Sequence, residues 1–171
     1  MKILVLGPVA SGKTTLAKQL HERYHLPLYE LDSIVHDDIN HEKRPVKAQL
    51  SMINEIIRSH KEWILEGMPR DYLDVLASNA TMIIYLDYSK KQLLRRLRIR
   101  HLKYKLKITK VPFETNRDLY LRMKSYIEND HKENLVECMK KYPTKLIIVK
   151  NKREIQKLFL AIEEGQILKY Q

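Results

Sequence analysis

Gly7-Pro8-Val9-Ala10-Ser11-Gly12-Lys13-Thr14 fits the pattern G-x-x-x-x-G-K-[ST], and its setting decides the fold as much as its letters do. It follows the apolar run Ile3–Leu6 and precedes a stretch in which Leu16, Leu20 and Tyr24 share one helical face, so it is a turn from strand to helix. Average glycine usage would give such a match by chance in on the order of one chain of this length in a hundred. The required placement makes coincidence rarer still. Glycines let successive backbone amides turn inward around an anion, and the helix N-terminus adds its partial positive charge. The chemistry expected here is phosphate binding. Gly7, Ala10, Ser11, Gly12, Lys13, Thr14 and Thr15 form the cradle, with Lys13 bridging the β- and γ-phosphates and Thr14 on Mg²⁺. The plain alternative is a tight turn carrying a surface lysine.

Outward from this turn, short apolar runs recur at Leu28–Leu31, Trp63–Leu65, Met82–Leu86 and Leu146–Val149, separated by stretches with helical spacing. Together with Ile3–Leu6 they predict five buried parallel strands alternating with helices, an α/β fold. His25-Leu26-Pro27 ends the first helix, and Pro45 suits the first position of another, continued by Val46, Leu50, Ile53 and Ile57. Ser89-Lys90-Lys91-Gln92 reads as a capping box, and Asn151-Lys152-Arg153-Glu154 as a second helix start. Val111-Pro112 marks a break, after which Thr115 to about Lys141 is again helical in pattern. At 171 residues, without a linker, repeat or low-complexity tract, residues 1–171 are expected to form a single domain.

Composition narrows the function further. An apolar fraction of 44% with 4 glycines and 6 prolines excludes a disordered or fibrous chain. The longest apolar run, Met82–Leu86, is far short of the ~20 residues of a membrane span. No membrane role is expected. One cysteine, Cys138, excludes an intrachain disulfide and suggests a cytoplasmic home. Charge is uneven: between Tyr88 and Phe113 lie ten basic residues and no acid, leaving 22 basic against 21 acidic residues elsewhere. Such a field attracts phosphate, as a nucleotide or as a nucleic-acid backbone.

Several carboxylates stand where phosphate chemistry needs them. Asp32 closes the second apolar run, at the edge where open α/β sheets bind ligands, and suits either a proton acceptor for an attacking hydroxyl or a helix cap. Asp87 ends the fourth run and suits either a site near Mg²⁺ or turn chemistry before Ser89.

With these residues in place the chain resembles the nucleoside-monophosphate-kinase-like branch of P-loop kinases, and more narrowly the topology modulation (FlaR-like) proteins. The likeness rests on Gly7–Thr15, Tyr29-Glu30-Leu31-Asp32, Trp63–Arg70, Tyr85-Leu86-Asp87, the arginines from Arg95 to Arg100, and Leu146–Asn151. It implies a P-loop NTPase three-layer sandwich with a five-stranded parallel sheet and a short lid at about residues 100–118. It implies an ATP- and Mg²⁺-dependent kinase acting on a small acceptor, such as a nucleotide or related metabolite. By the same likeness Arg70 holds the acceptor's phosphate, Glu66 orders water on Mg²⁺, and Lys150 and Asn151 lie at the nucleotide. Arg96 and Arg100, four apart, would meet adenine and phosphates, and Arg122 with Tyr126 would follow the lid. Ala10 departs from the glycine usual in adenylate kinases, and the absence of cysteine between Arg100 and Glu114 excludes a Cys₄ zinc lid. Two other readings stay open: a shikimate- or gluconate-type kinase centred on Asp32, and an ATP-dependent DNA-binding protein using the basic run, the latter less favoured for want of interleaved aromatics.

Overall fold

A computed structural model describes residues 1–37, 42–68, 72–106, 108, 117–129 and 141–165. Five strands form one sheet: β1 (Lys2–Leu6), β2 (Leu28–Glu30), β3 (Trp63–Gly67), β4 (Met82–Leu86) and β5 (Leu146–Val149). Their order is β2-β3-β1-β4-β5, and every pairing is parallel. Parallel strands need crossover connections, and here these are helices: α1 (Lys13–Tyr24), α2 (Leu31–Val35), α3 (Val46–Ser59), α4 (Leu73–Asn79), α5 (Lys90–Lys105), α6 (Arg117–Glu128) and α7 (Lys152–Glu163).

Strand alternation splits the core in two. Ile3, Val5, Ile64 and Ile84 face a layer containing Leu16 and Leu20 of α1, Leu93 and Leu97 of α5, Ile127 of α6 and Leu158 of α7. Leu4, Leu6, Trp63, Leu65, Ile83 and Tyr85 face the other layer, with Leu31 and Ile34 of α2, Ile53 of α3 and Leu76 and Ala77 of α4. Both sheet faces are covered, which is why each run reads as continuous apolar sequence. The chain leaves β1 first toward β2 and later toward β4, so strand order reverses around β1. Ligands bind at the carboxyl ends of strands at such a point.

Ser89 caps α5 with the expected box, its hydroxyl accepting from the Gln92 amide while the Gln92 side chain reaches back to the Ser89 amide. Asn151 caps α7 by accepting from the Glu154 amide at 3.1 Å. Two boundaries differ from the sequence reading. Pro45 stands one residue before α3 rather than inside it. The second strand stops at Glu30, and Asp32 belongs to the first turn of α2 rather than closing the strand or capping the helix. The cause is Leu31, which is fully buried on the far face against β3, so tightly that a Cβ on Gly67 would lie 2.7 Å from the Leu31 Cβ. As the capping box implies, the basic segment begins as helix, α5 running to Lys105; of the lid expected at about residues 100–118, residues 107 and 109–116 lie outside the described residues. Cys138 and the remainder of the helix expected up to Lys141 lie outside the described residues, apart from α6, the turn at Asn129 and Lys141 itself.

Candidate active site

The loop between β1 and α1 is held open by backbone that few side chains tolerate. Gly12, preceding α1, has φ 94°, and Ala10 has φ 63°, both left-handed. A Cβ on Gly7 would meet Ser11 Oγ at 2.9 Å and Leu86 at 3.1 Å, so the loop can close only over glycine there. The Ser11 amide donates to the Pro8 carbonyl at 3.2 Å, and Lys13 Nζ folds back to the same carbonyl at 3.2 Å. Lys13 thereby lies back across the loop.

Thr14 Oγ1 donates to Glu66 Oε1 at 2.9 Å, joining the first turn of α1 to the end of β3. Glu66 is buried in a strand with every residue buried, and its Oε2 has no hydrogen-bond partner. Burial raises the Glu66 carboxyl above its ordinary pKa; Thr14 and Lys13 oppose this, and Glu30 and Asp32 add to it. Lys13 is depressed chiefly by burial, with Arg100 adding to the effect and Glu66 and Asp32 opposing it. An orphaned buried carboxylate oxygen costs on the order of 1–3 kcal/mol, a strain that a cation would relieve. The donors suit Mg²⁺, which is commonly held by one or two carboxylates and a hydroxyl and completes its shell with water and phosphate oxygen. Among the described residues no group of three or more His, Cys, Asp or Glu side chains is arranged to hold a metal ion.

On the other side of the loop Arg96 Nη1 donates to the Ser11 carbonyl at 2.6 Å, and its guanidinium lies over the Tyr88 ring with 3.7 Å to the centroid. Tyr88 is buried, so this stack is shielded from water. From here a cleft of about 1000 Å³ runs beside α1, walled by Gly12, Thr15, Arg96, Lys103, Lys152 and Phe159 among others. That volume is in the range of clefts that take small ligands.

Of the residues expected from sequence, Gly7, Ala10, Ser11, Gly12, Lys13, Thr14 and Thr15 form or flank the loop, Glu66 joins it by hydrogen bond, Arg96 by hydrogen bond, and Asp32 and Arg100 through their fields at Lys13. Asp87 follows Leu86, which touches the Gly7 position; its amide donates to Val149. Lys150 and Asn151 are engaged with Glu154 in starting α7, and the α7 wall of the cleft is made by Lys152, Ile155, Gln156 and Phe159. Arg122 is exposed on α6. Arg70 lies outside the described residues. Sequence reading missed Tyr88 and Glu30. The signal for Tyr88 was an aromatic two residues after β4 and eight before Arg96; for Glu30 it was a carboxylate two residues before Asp32.

A five-stranded parallel sheet reversing around β1, with a phosphate loop leading into α1, defines the P-loop kinase fold. Residues 3–138 match the family model described as AAA domain, and the chain belongs to that family. An adenylate kinase from Encephalitozoon cuniculi (strain GB-M1) is 24% identical over 113 residues, covering 56% of this chain and 64% of that protein's length. Among solved structures, shikimate kinase from Aquifex aeolicus vf5 matches with a TM-score of 0.52 at 15% identity, covering 96% of this chain and 98% of the other. A gluconokinase from Sinorhizobium meliloti 1021 matches with a TM-score of 0.57 at 14% identity, covering 99% and 93%. At such identities the structural likeness is one of fold. Among the described residues no helix is long and apolar enough to cross a membrane.

Proposed function

We propose that this chain is an ATP-dependent phosphotransferase that moves the γ-phosphoryl group of Mg-ATP to a small acceptor at the carboxyl ends of β2 and β3. The observation that carries this reading is the join between loop and sheet: Thr14 bonded to Glu66 at 2.9 Å, with the second Glu66 oxygen buried and unpartnered. Phosphoryl transfer asks little covalent work of a protein, so catalysis lies in positioning and charge. Loop amides and the start of α1 hold the β- and γ-phosphates, and Lys13 neutralises charge that moves onto them. Mg²⁺, held by Thr14 and Glu66, would supply charge neutralisation at the phosphate oxygens. Arg96 presents one guanidinium face to Tyr88 and leaves the other toward the cleft, where a base can lie. Arg100, whose field acts on Lys13, would meet phosphate oxygens.

The test is Lys13→Ala in a coupled ADP-release assay, with circular dichroism and thermal melting as controls. Loss of phosphoryl transfer with the fold retained is expected. Unchanged turnover would remove the loop from the chemistry and with it the reading.

A further inference from the structure

Apolar surface and positive charge meet on the outward side of α5. Leu93 and Leu97 turn this helix into the core. At 3.6 residues per turn, Ile99, Leu102 and Leu106 fall within about 60° of one another on the opposite side. A helix face in contact with water is ordinarily polar, yet these three side chains are 43%, 56% and 60% exposed. Leu106 keeps its place in the row because its amide still donates to the Leu102 carbonyl at 3.0 Å, although the helix ends one residue earlier. Single aliphatic side chains scattered on a surface are common, but three at spacings i, i+3 and i+7 make a continuous ridge.

The ridge is bordered by cations. Arg95 stands at its head, Arg98 and Lys105 run along one flank and Lys103 along the other, all of them exposed. No acidic residue of α5 offsets this field. On α6, which packs against α5, the Glu128 carboxylate is paired with Lys124 at 3.5 Å, and Lys90 of α5 reaches only the Glu128 carbonyl.

Nucleic-acid phosphates would satisfy these cations and leave the ridge unused. The outward face also offers no aromatic ring for base stacking, since Tyr104 falls on the inward half of the helix. The surface of an anionic bilayer uses both features. Aliphatic side chains enter the boundary between headgroups and acyl chains, and arginine and lysine meet the lipid phosphates. Such a helix lies in the plane of the interface, so it needs neither the length nor the apolar content of a membrane span. We infer that the face of α5 formed by Ile99, Leu102 and Leu106 with Arg95, Arg98 and Lys105 docks this protein on anionic membrane surfaces. The inference does not depend on the phosphotransferase reading. Arg96 leaves the helix about a quarter-turn from the ridge and is bonded to Ser11, so the docking face is not the one that closes on the phosphate loop.

The full chain is sedimented with vesicles of phosphatidylcholine alone and of phosphatidylcholine with about 30% phosphatidylglycerol, at about 150 mM salt. Binding to the anionic vesicles and not to the neutral ones is expected. Arg95→Gln, Arg98→Gln and Lys105→Gln together should lower the partition about 100-fold, at about fivefold per charge. Ile99→Ser, Leu102→Ser and Leu106→Ser together should lower it about tenfold or more with the charge unchanged. Orientation is read separately from single tryptophan replacements, because the one natural tryptophan, Trp63, is fully buried and gives a constant background. Leu102→Trp should shift its emission to the blue and be quenched by lipids brominated on their acyl chains. Leu160→Trp, on α7 at a position of the same 56% exposure, should do neither. Thermal melting checks the fold of every variant, and the tryptophan pair keeps the test decisive where a triple variant does not fold. Unchanged vesicle binding by the serine variant, absence of quenching at Leu102→Trp, or equal quenching at both tryptophans would overturn the inference. So would a parent chain that ignores anionic vesicles while it and the serine variant bind duplex DNA alike, which would assign the basic face to nucleic acid.

Discussion

Replacing Arg96 by alanine removes two interactions that meet at one guanidinium. The hydrogen bond to the Ser11 carbonyl, 2.6 Å long, has a charged donor and an acceptor on a residue only 1% exposed, a class worth about 1.5–3 kcal/mol. The stack on Tyr88, 3.7 Å from the centroid of a ring 2% exposed, falls toward the desolvated end of the cation–π range, at about 1–2 kcal/mol. Arg96 itself is only half-buried and regains rotamer freedom in the unfolded chain, so the sum is trimmed to a loss of about 3 kcal/mol. For a chain of this size that corresponds to a fall in Tm of roughly 6–12 °C. Urea unfolding followed by circular dichroism measures it, with an unchanged m-value showing that stability rather than compactness has altered. Arg96→Lys keeps the charge but not the planar fork and should recover less than half. A double-mutant cycle with Tyr88→Leu separates the stack from the hydrogen bond. Because the free face of the guanidinium lines the cleft, Arg96→Ala should also weaken Mg-ATP binding. A stability loss under about 0.5 kcal/mol would refute the view that Arg96 clamps the loop to α5.

Three further outcomes follow from the same geometry. Glu66 holds its proton more tightly folded than unfolded, so its contribution to stability is greatest below the unfolded carboxyl pKa of about 4.3 and is lost as pH rises through the raised folded value; Glu66→Gln should flatten that part of the ligand-free stability profile, and an unaltered profile in the variant would contradict the burial argument. Arg44→Ala frees the carbonyls at the end of α2, so amide exchange of Ile34 to Asp37 should accelerate, and unchanged exchange would show that α2 does not depend on this clamp. Arg95, Arg98 and Lys105 are exposed on α5, whereas Lys103 lines the cleft; changing the first three to Gln should lower the salt slope of duplex DNA binding without reducing phosphoryl transfer, and a matching loss of transfer would tie the basic face to catalysis.

How much of this was legible in the chain depends on the distance over which each feature is determined. The loop was readable because Gly7, Gly12, Lys13 and Thr14 satisfy a local requirement, and the caps at Ser89 and Asn151 because side chain and amide lie three residues apart. The end of β2 was not. Leu28-Tyr29-Glu30-Leu31 gives no local stop, and what ends the strand at Glu30 is the press of Leu31 onto Gly67, 36 positions along the chain. Arg44 carries no motif in the sequence; its role appears only when the Val35 and Arg44 backbones meet. Glu30 is similar: its meaning comes from the register with Glu66, which pairing between strands creates.

The arrangement also explains why a buried carboxylate is tolerated at the end of β3. A strand whose every residue is buried ordinarily excludes Glu, and among the described residues Glu66 there has Thr14 as hydrogen-bond partner for one oxygen and none for the other. Neutralisation from Lys13 is incomplete, because Lys13 is itself desolvated and lies under the repulsion of Arg100. Each charge in the corner is therefore costly alone, and the lowest-energy arrangement is one in which additional positive charge sits against Glu66 and additional negative charge against Lys13. A metal–phosphate complex supplies both at once. On the proposed phosphotransferase reading, residual strain in the ligand-free site would favour the charge pattern of a metal-bound nucleoside triphosphate over that of a lone anion, which would satisfy Lys13 and worsen Glu66.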